Sequence, residues 1–339
     1  MVLHTGSVPI QQFLESREGL VVAINPIQRV VVIGTGMMGP GIAQGFATAG
    51  KQVTVIARTQ ESLDRGRSSV EAILSSLQKA EFVTQEEMSH TLRSITFSTD
   101  MEAAVASADL VVESIVEDLS TKQALFARLD RLCPISTIIT SNTSGLPITR
   151  ISGEMEHPER AATTHFWMPS HLVPLVEIVM GARTSEDTAQ RLREVLSDIG
   201  KRPVIVRKDI PGQLGARLLA AITREAMYLV QEGVASAEEV DTAIKTGLGL
   251  RFPVYGPLEH VDMAGVDLVH TTESYTFPAL CNSTETLPIL NEKLARGELG
   301  ARTGKGFYDW TQRDPVAFRA QRDAFLMARL KDLYPPKKG

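Results

Sequence analysis

The stretch at residues 28–50, QRVVVIGTGMMGPGIAQGFATAG, joins an apolar run to a glycine-rich turn and then to a helical pattern. The run from Val30 to Ile33 is typical of a parallel strand that is buried on both faces. In the G-x-G-x-x-G turn, the first glycine permits a tight bend, the second lets a pyrophosphate approach the backbone, and the third lets helix and strand pack closely. The residues that this pattern predicts in a dinucleotide site are Gly34, Gly36, Met37, Met38 and Gly39.

The residues after the second apolar run, KQVTVIA, bear on the choice of cofactor. NAD-binding proteins usually place an aspartate or glutamate there to hydrogen-bond the ribose hydroxyls, whereas this chain has Ala57, Arg58 and Thr59. A 2′-phosphate is then not repelled, and Arg58 offers a guanidinium that suits one. The alternative is that Arg58 is an ordinary solvated surface charge. We therefore predict NADP as the cofactor, held in part by Arg58 and Thr59, with NAD as the other possibility.

Polar residues follow two further apolar runs, which begin at Leu110 and Thr137. Parallel strands deliver ligand-binding groups at their carboxyl ends, so we expect these polar residues to meet a cofactor or a substrate. They are Glu117, Lys122, Asn142 and Ser144.

Length and composition limit the class of protein. A chain of 339 residues suits two domains, each large enough to bury its own core. The net charge of −5 gives no reason to expect nucleic acid or an anionic membrane as a partner, and no apolar run approaches the length of a bilayer. The two cysteines, Cys133 and Cys281, form no metal-binding or disulfide pattern, which favours a soluble, metal-free protein of the reducing cytoplasm. Residues 1–27 have the composition of an N-terminal extension rather than a signal peptide.

Several separate motifs follow one another between about Arg29 and Trp310, among them VVIGTGMMGPGIA, SNTSGLPIT, HPERAATTHFWMPSHLVPLVEIV, DIPG and TGKGFYDW. Taken in this order, they resemble the motifs of the 3-hydroxyacyl-CoA dehydrogenase family. The resemblance implies an α/β protein with an N-terminal Rossmann-type parallel-sheet domain, residues 28–208, followed by an all-helical C-terminal domain, residues 209–339. In this family the helical domain closes the substrate cleft and usually forms a homodimer.

The resemblance also implies a catalytic pair. His165 matches the family's general acid/base, Glu177 matches the glutamate that orients it, and Ser144 matches the serine that hydrogen-bonds the same substrate oxygen. Glu117 and Lys122 match residues on the cofactor side. The chemistry implied is interconversion of a secondary β-hydroxyl and a ketone, with hydride exchanged at carbon and a proton handled by histidine. Independently of the resemblance, Glu177 stands in the apolar run LVPLVEIV, where an unpaired carboxylate would be costly to bury, so a partner such as His165 is expected.

The chain departs from the family at two positions that usually carry asparagine, where it has Met168 and Ala216. Each asparagine anchors polar substrate atoms, so the loss of one hydrogen bond to developing charge is expected to cost about 2–4 kcal/mol with the usual substrate. In the same turn Gln213 and Gly215 replace larger apolar residues, and Gln213 is the candidate substitute anchor. These changes predict an altered and more apolar substrate pocket.

Two other functions remain open from the sequence. An altered apolar pocket would suit reductive amination or imine reduction, and a non-catalytic dinucleotide-binding protein would keep the fold alone. The retained set of His165, Glu177 and Ser144 disfavours the second of these, because a binding protein has no need of a proton relay.

The region that contacts coenzyme A in the family is short in this chain. Its main cations are Arg65, Arg67 and Lys79, on an ordinary amphipathic helical pattern. Tight binding of coenzyme A is therefore not predicted. The overall pattern, particularly SGLPIT and PSHLVPLVEIV, resembles family members that act on small free acids or ring-bearing alcohols more than the enzymes of fatty-acid oxidation.

Overall fold

A computed structural model of the protein describes residues 26–333, so the predicted extension, apart from Pro26 and Ile27, lies outside the described residues. Its strands are β1 Arg29–Ile33, β2 Gln52–Ile56, β3 Ile95–Ser98, β4 Leu110–Glu113, β5 Ile138–Ser141, β6 Ala161–Phe166, β7 Leu175–Val179 and β8 Arg202–Val206. They form one sheet in the order β3-β2-β1-β4-β5-β6-β7-β8. Strands β1 to β6 are parallel, whereas β7 runs antiparallel to β6 and parallel to β8. The predicted Rossmann-type sheet is confirmed, with a reversal between β6 and β7 that the sequence did not reveal.

Helices cover both faces of this sheet. They are α1 Gly39–Thr48, α2 Gln60–Lys79, α3 Gln85–Arg93, α4 Met101–Val105, α5 Leu119–Leu132, α6 Ile148–Ile151 and α7 Glu186–Asp198. Alternate residues of β1 enter different cores: Val30 and Val32 pack in one with Phe46 of α1, and Val31 packs in the other with Phe126 of α5. The continuous apolar run of β1 is therefore explained by burial on both sides of the sheet.

The strand order places the candidate site. It reverses between β1 and β4, because β2 and β3 extend the sheet on one side and β4 to β8 extend it on the other. In open sheets of this kind, ligands bind in the crevice outside the carboxyl ends of the strands at such a reversal. The glycine turn follows β1 and the polar residues follow β4 and β5, so they meet at this crevice.

The second half of the chain is helical and begins after the connecting segment 207–214. Its helices are α8 Gly215–Gln231, α9 Ala237–Ala243, α10 Gly249–Arg251, α11 Pro257–Ala264, α12 Val266–Thr276, α13 Pro288–Ala295 and α14 Pro315–Leu333, with a π-helical turn, Ile244–Leu248, between α9 and α10. At the start of α9, Ser236 and Glu239 form the reciprocal hydrogen bonds of a capping box. The predicted helical C-terminal domain is confirmed. Within residues 26–333, no helix is both long enough and apolar enough to cross a membrane.

The last helix, α14, returns to the sheet domain. Its side chains Leu326, Met327 and Leu330 pack against a small apolar cluster that includes Leu77 of α2. Lys331 of α14 also lies 3.1 Å from a carboxylate oxygen of Glu81, just beyond α2. The two halves of the chain therefore touch at a place distant in sequence from the connecting segment 207–214.

Candidate active site

The glycine turn fits the pyrophosphate of a dinucleotide. A side chain at Gly34, whose φ is +120°, would come within 2.2 Å of the Ser114 carbonyl oxygen, and one at Gly39 would come within 2.0 Å of the Gly34 carbonyl oxygen. A Cβ at Gly36 would instead meet no atom within 4 Å, so that position opens onto free space. Met38, at the N-cap of α1, makes no side-chain capping hydrogen bond. The amides at this helix terminus are therefore available to an anion.

The end of β2 brings Arg58 and Thr59 beside the glycine turn, because the Gly34 amide donates to the Ile56 carbonyl at 2.8 Å. The Thr59 hydroxyl caps α2 by accepting a hydrogen bond from the Ser62 amide at 3.2 Å. The Arg58 side chain is exposed at the same edge. A helix terminus, hydroxyl groups and a guanidinium thus lie together where the ribose of a bound dinucleotide is expected.

His165 and Glu177 form a buried pair across the β6–β7 ladder. The two residues are directly opposite each other in the antiparallel register, which places their side chains on the same face. His165 Nδ1 lies 2.8 Å from Glu177 Oε2. The contact occupies Nδ1 and leaves Nε2 as the ring nitrogen for a substrate, as a general acid/base requires. The structure therefore brings together the two residues that the sequence predicts as a catalytic pair.

Glu177 is a fully buried carboxylate with four hydrogen-bond donors. Its Oε2 accepts from His165 Nδ1 and from the Trp167 indole, and its Oε1 accepts from the backbone amides of Leu214 and Gly215 at the start of α8. Burial by itself would raise the pKa of Glu177, but these hydrogen bonds outweigh burial and lower that pKa to about 2. The carboxylate stays ionised at neutral pH and connects the sheet domain to the first helix of the helical domain.

Trp167 is a site residue that the sequence analysis did not single out. Its Nε1–H donates to Glu177 Oε2 at 2.9 Å, and its ring centroid lies 5.9 Å from that of His165. A Cβ added at Gly215 would lie 2.6 Å from Trp167 Cζ2. The indole therefore occupies the space that a side chain at position 215 would need, so part of the room expected from the small residue there is filled.

Lys122 lies in a buried ionic network at the carboxyl end of β4. Its Nζ is 2.6 Å from Glu113 Oε1 and 3.4 Å from Glu117 Oε2, and the Lys122 side chain is 1% exposed. Glu117 also accepts hydrogen bonds from the Thr143 hydroxyl and the Ser144 amide. Burial by itself would raise the pKa of Glu117, but the Thr143 hydroxyl and the Lys122 ammonium lower it by more. The pKa of Glu117 therefore lies below its ordinary value. Lys122 thus holds Glu117 and, through it, the loop of Ser144.

The remaining predicted residues lie around the same crevice. Asn142 Oδ1 accepts a hydrogen bond from the Phe166 amide at 2.8 Å, which ties β5 to the end of β6. Gln213 is 4% exposed, adopts a φ of 54°, and donates from Nε2 to the Thr143 carbonyl at 2.9 Å. Met168 is 53% exposed, and Ala216 is half-buried in the first turn of α8. Gln213 therefore holds the loop that contains Ser144 by a hydrogen bond to its backbone, and its role as a substrate anchor stays a prediction.

A dinucleotide cradle and a buried histidine–glutamate pair at the same edge of a mostly parallel sheet define a nicotinamide-dependent oxidoreductase. Two sequence profiles match the chain: "3-hydroxyacyl-CoA dehydrogenase, NAD binding domain" over residues 29–210 and "3-hydroxyacyl-CoA dehydrogenase, C-terminal domain" over residues 212–310. The chain belongs to the 3-hydroxyacyl-CoA dehydrogenase family. It is accordingly a nicotinamide-dependent dehydrogenase of the kind that acts on a secondary hydroxyl group, as the sequence predicted, and its family is one that binds NAD.

Relatives within the family differ in the substrates that their names state. The chain is 33% identical over 302 residues to 5-formyl-3-hydroxy-2-methylpyridine 4-carboxylate 5-dehydrogenase of Mesorhizobium japonicum, covering 89% of this chain and 97% of that one. It is 38% identical over 296 residues to mitochondrial hydroxyacyl-coenzyme A dehydrogenase of Sus scrofa, covering 84% and 91%. A crystal structure of the pyridine carboxylic acid dehydrogenase, described as an NAD+-dependent dismutase, matches with a TM-score of 0.84 at 33% identity, covering 91% and 99%.

Proposed function

We propose that the protein interconverts a secondary β-hydroxyl group and the corresponding ketone, with His165 as the general acid/base. The observation that carries the proposal is the 2.8 Å contact between His165 Nδ1 and a fully buried Glu177 carboxylate. Glu177 fixes the ring orientation, so that Nε2 can give or take the proton of the substrate oxygen. Ser144, on the loop that Glu117 holds, supplies a hydroxyl hydrogen bond to that oxygen. A bound nicotinamide supplies or accepts the hydride.

The proposed cofactor is NADP, with NAD as the less favoured alternative. Support comes from the end of β2, where Ala57 takes the place of the usual carboxylate and Arg58 is exposed beside the N-terminus of α2. Arg65 Nη2 donates to Ser62 Oγ at 2.9 Å, which orders a second hydroxyl near Thr59. A guanidinium, two hydroxyls and the N-terminus of α2 match the chemistry of a phosphate monoester. The pyridine-acid relative is described as NAD+-dependent, so this preference would be a departure within the family.

Replacing Ala57 by aspartate and Arg58 by isoleucine tests the cofactor proposal. The change adds a carboxylate that repels a 2′-phosphate and removes a charge-assisted hydrogen-bond donor. We expect the ratio of kcat/KM for NADPH to kcat/KM for NADH to fall by about a hundredfold. Arg67→Met is the matched control, because the Arg67 guanidinium instead lies 4.5 Å over the Phe97 ring. An unchanged ratio in the double variant would contradict the role of Arg58.

The proposed substrate is a small free acid or ring-bearing alcohol rather than an acyl-CoA. Two of the cations on α2 are already engaged, because Arg65 lies 2.5 Å from Glu61 and Arg67 stacks on Phe97. Next to the catalytic pair the chain presents Met168 and the half-buried indole of Trp167, which favour apolar or aromatic surface. The name of the pyridine carboxylate relative supports the same class.

Cofactor oxidation across a carbonyl panel tests the proposed reaction. Purified protein would be given NADPH or NADH with acetoacetate, benzoylacetate, ethyl acetoacetate or acetoacetyl-CoA, each with and without ammonium. We expect NADPH-linked turnover that is faster with benzoylacetate than with acetoacetyl-CoA. Turnover that requires ammonium would instead establish imine reduction, and NADPH binding with no turnover on any compound would count against a β-carbonyl substrate.

A homodimer is the proposed assembly. Helices α8, α11 and α12 of the helical domain leave large apolar side chains exposed in the single chain. Those more than half exposed include Leu218, Leu219, Leu258, Met263 and Leu268. Apolar surface on several helices of one domain marks an interaction site. We therefore propose that this domain buries these side chains against a second copy.

Leu219→Asp is expected to weaken the dimer by about a hundredfold in Kd, because an unpaired charge would be buried in the interface. Sedimentation velocity over a range of concentrations would measure the monomer–dimer equilibrium. Ala72→Asp adds the same charge to an exposed site on α2 and serves as the control. A wild-type protein that sediments as a monomer at micromolar concentration would rule out the proposed assembly.

The cytoplasm is the proposed compartment. Cys133 and Cys281 are both free and buried, which suits a reducing environment. Burial raises the pKa of the Cys133 thiol to about 11, so this group is an inert core residue. Among the described residues, no group of three or more histidine, cysteine, aspartate or glutamate side chains could bind a metal ion.

A further inference from the structure

The Glu177 carboxylate uses every acceptor position that it has. A carboxylate offers about four lone-pair sites. Two on Oε1 are taken by the amides of Leu214 and Gly215, at 2.9 and 2.8 Å. The two on Oε2 are taken by His165 at 2.8 Å and by the Trp167 indole at 2.9 Å. Among the residues that the structure describes, the indole is the one side chain besides His165 that holds the oxygen facing the imidazole.

The position of the indole depends on Gly215. A Cβ there would lie 2.6 Å from Cζ2 and 3.4 Å from Cε2 of Trp167, so the ring lies directly against the first turn of α8. The same residue, Gly215, donates its amide to Glu177. Indole, helix backbone and carboxylate thus form one packed unit, and a side chain at position 215 would displace the ring while leaving the amide in place.

We propose that Trp167 is a positioning residue of the catalytic pair, and that Gly215 is the residue that gives it room. The indole N–H holds Glu177 Oε2 in the orientation that faces His165. Without it, a lone pair of a fully buried carboxylate has no donor, so the carboxylate rotates or admits water and the imidazole loses its fixed orientation. This inference rests on the proposed role of His165 and Glu177 as the acid/base pair.

The kinetic test is Trp167→Phe, which keeps an aromatic ring and removes the N–H. We expect kcat with NADPH and the fastest carbonyl of the panel above to fall about tenfold, while both KM values stay within a factor of two. In a Glu177→Gln background the same change is expected to have no further effect, because the acceptor that it serves is altered already. Trp310→Phe is the matched control, since Trp310 packs edge-on against Phe318 in the helical domain.

A second variant and a substrate-free measurement guard against misfolding as an explanation. Gly215→Ala keeps the backbone amide but pushes the indole away, so it is expected to lower kcat in wild-type protein and much less in the Trp167→Phe background. The chain has two tryptophans, so its ¹H–¹⁵N spectrum shows two indole signals. The signal of Trp167 is expected to move in Glu177→Gln, while the signal of Trp310 stays in place.

The outcomes separate this inference from the proposed function. If Glu177→Gln lowers kcat but Trp167→Phe does not, Trp167 has no positioning role and the inference is overturned. It is overturned as well if the losses of kcat in Trp167→Phe and Glu177→Gln multiply in the double variant. The same holds if the indole signal of Trp167 does not move in Glu177→Gln. If neither Glu177→Gln nor a His165 variant affects turnover, the acid/base pair itself is wrong. Failure of the proposed acid/base pair is thus read from the His165 and Glu177 variants alone, and it does not depend on the kcat of Trp167→Phe.

Discussion

Replacing His165 by glutamine is expected to lower kcat by about 10²–10⁴-fold, the usual contribution of a positioned general acid/base. Glutamine is similar in size and can still donate to Glu177, but its amide cannot take up or release a proton near neutral pH. NADPH binding should be unchanged, because no cofactor contact is assigned to this side chain. The measurement is steady-state turnover with the fastest carbonyl of the panel, together with NADPH binding followed by its fluorescence.

His171→Gln is the matched control for this variant. His171 follows His165 by six residues, yet it stands in the loop before β7 and makes no contact with Glu177 that the structure shows. Burial lowers the pKa of His171 to about 4, so its imidazole is neutral at working pH. We expect full activity in His171→Gln. If it loses activity as fully as His165→Gln, the assignment of the acid/base to His165 is wrong.

Lys122→Met is expected to lower the free energy of unfolding by about 3–5 kcal/mol, because removing one partner leaves an uncompensated buried charge. Lys122 Nζ lies 2.6 Å from Glu113 Oε1, and the exposed fractions of the two side chains are 1% and 0%. The Ser141 hydroxyl and the Ile115 amide still donate to Glu113, but neither carries a compensating positive charge. Urea denaturation measures the loss directly.

Two further variants make the Lys122 result specific. Combining Lys122→Met with Glu113→Gln removes both charges, and most of the lost stability should return. Lys79→Met, at an exposed site on α2, should leave stability unchanged. A Lys122→Met protein of normal stability with a raised KM for NADPH would contradict the ionic network and support direct contact between Lys122 and the cofactor, as the family resemblance implies.

The parts of the fold that could be predicted are those with local causes. The apolar residues of β1 indicate a strand that is buried on both faces, and the glycines after it indicate a tight turn with close backbone approaches. Both features can be recognised in the sequence itself. The direction of β7 was not predicted, because an apolar strand pattern is the same whichever way the strand runs. The length of the connection held the signal: residues 167–174 are too few for a crossover between parallel strands, which needs about a dozen residues or more.

In the site, the spacing of His165 and Glu177 identified a pair through the family motif, and the structure places them opposite each other. The role of Trp167 could not be predicted, because the partner of an indole N–H depends on where α8 packs and not on neighbouring residues. The burial of Lys122 does have a local signal in the sequence. It shares a helical stripe with Phe126 and Leu129, both of them fully buried, at spacings of four and seven residues.

The return of α14 to the sheet domain has a consequence for how the molecule loses its structure. Leu326, Met327 and Leu330 cover apolar side chains near the end of α2, while Glu177 ties the first turn of α8 to the sheet. The helical domain therefore contacts the sheet domain through its first helix, α8, and through its last helix, α14. Loss of structure in either half would expose apolar surface or a buried charge of the other, so we expect the unfolding of the two domains to be coupled.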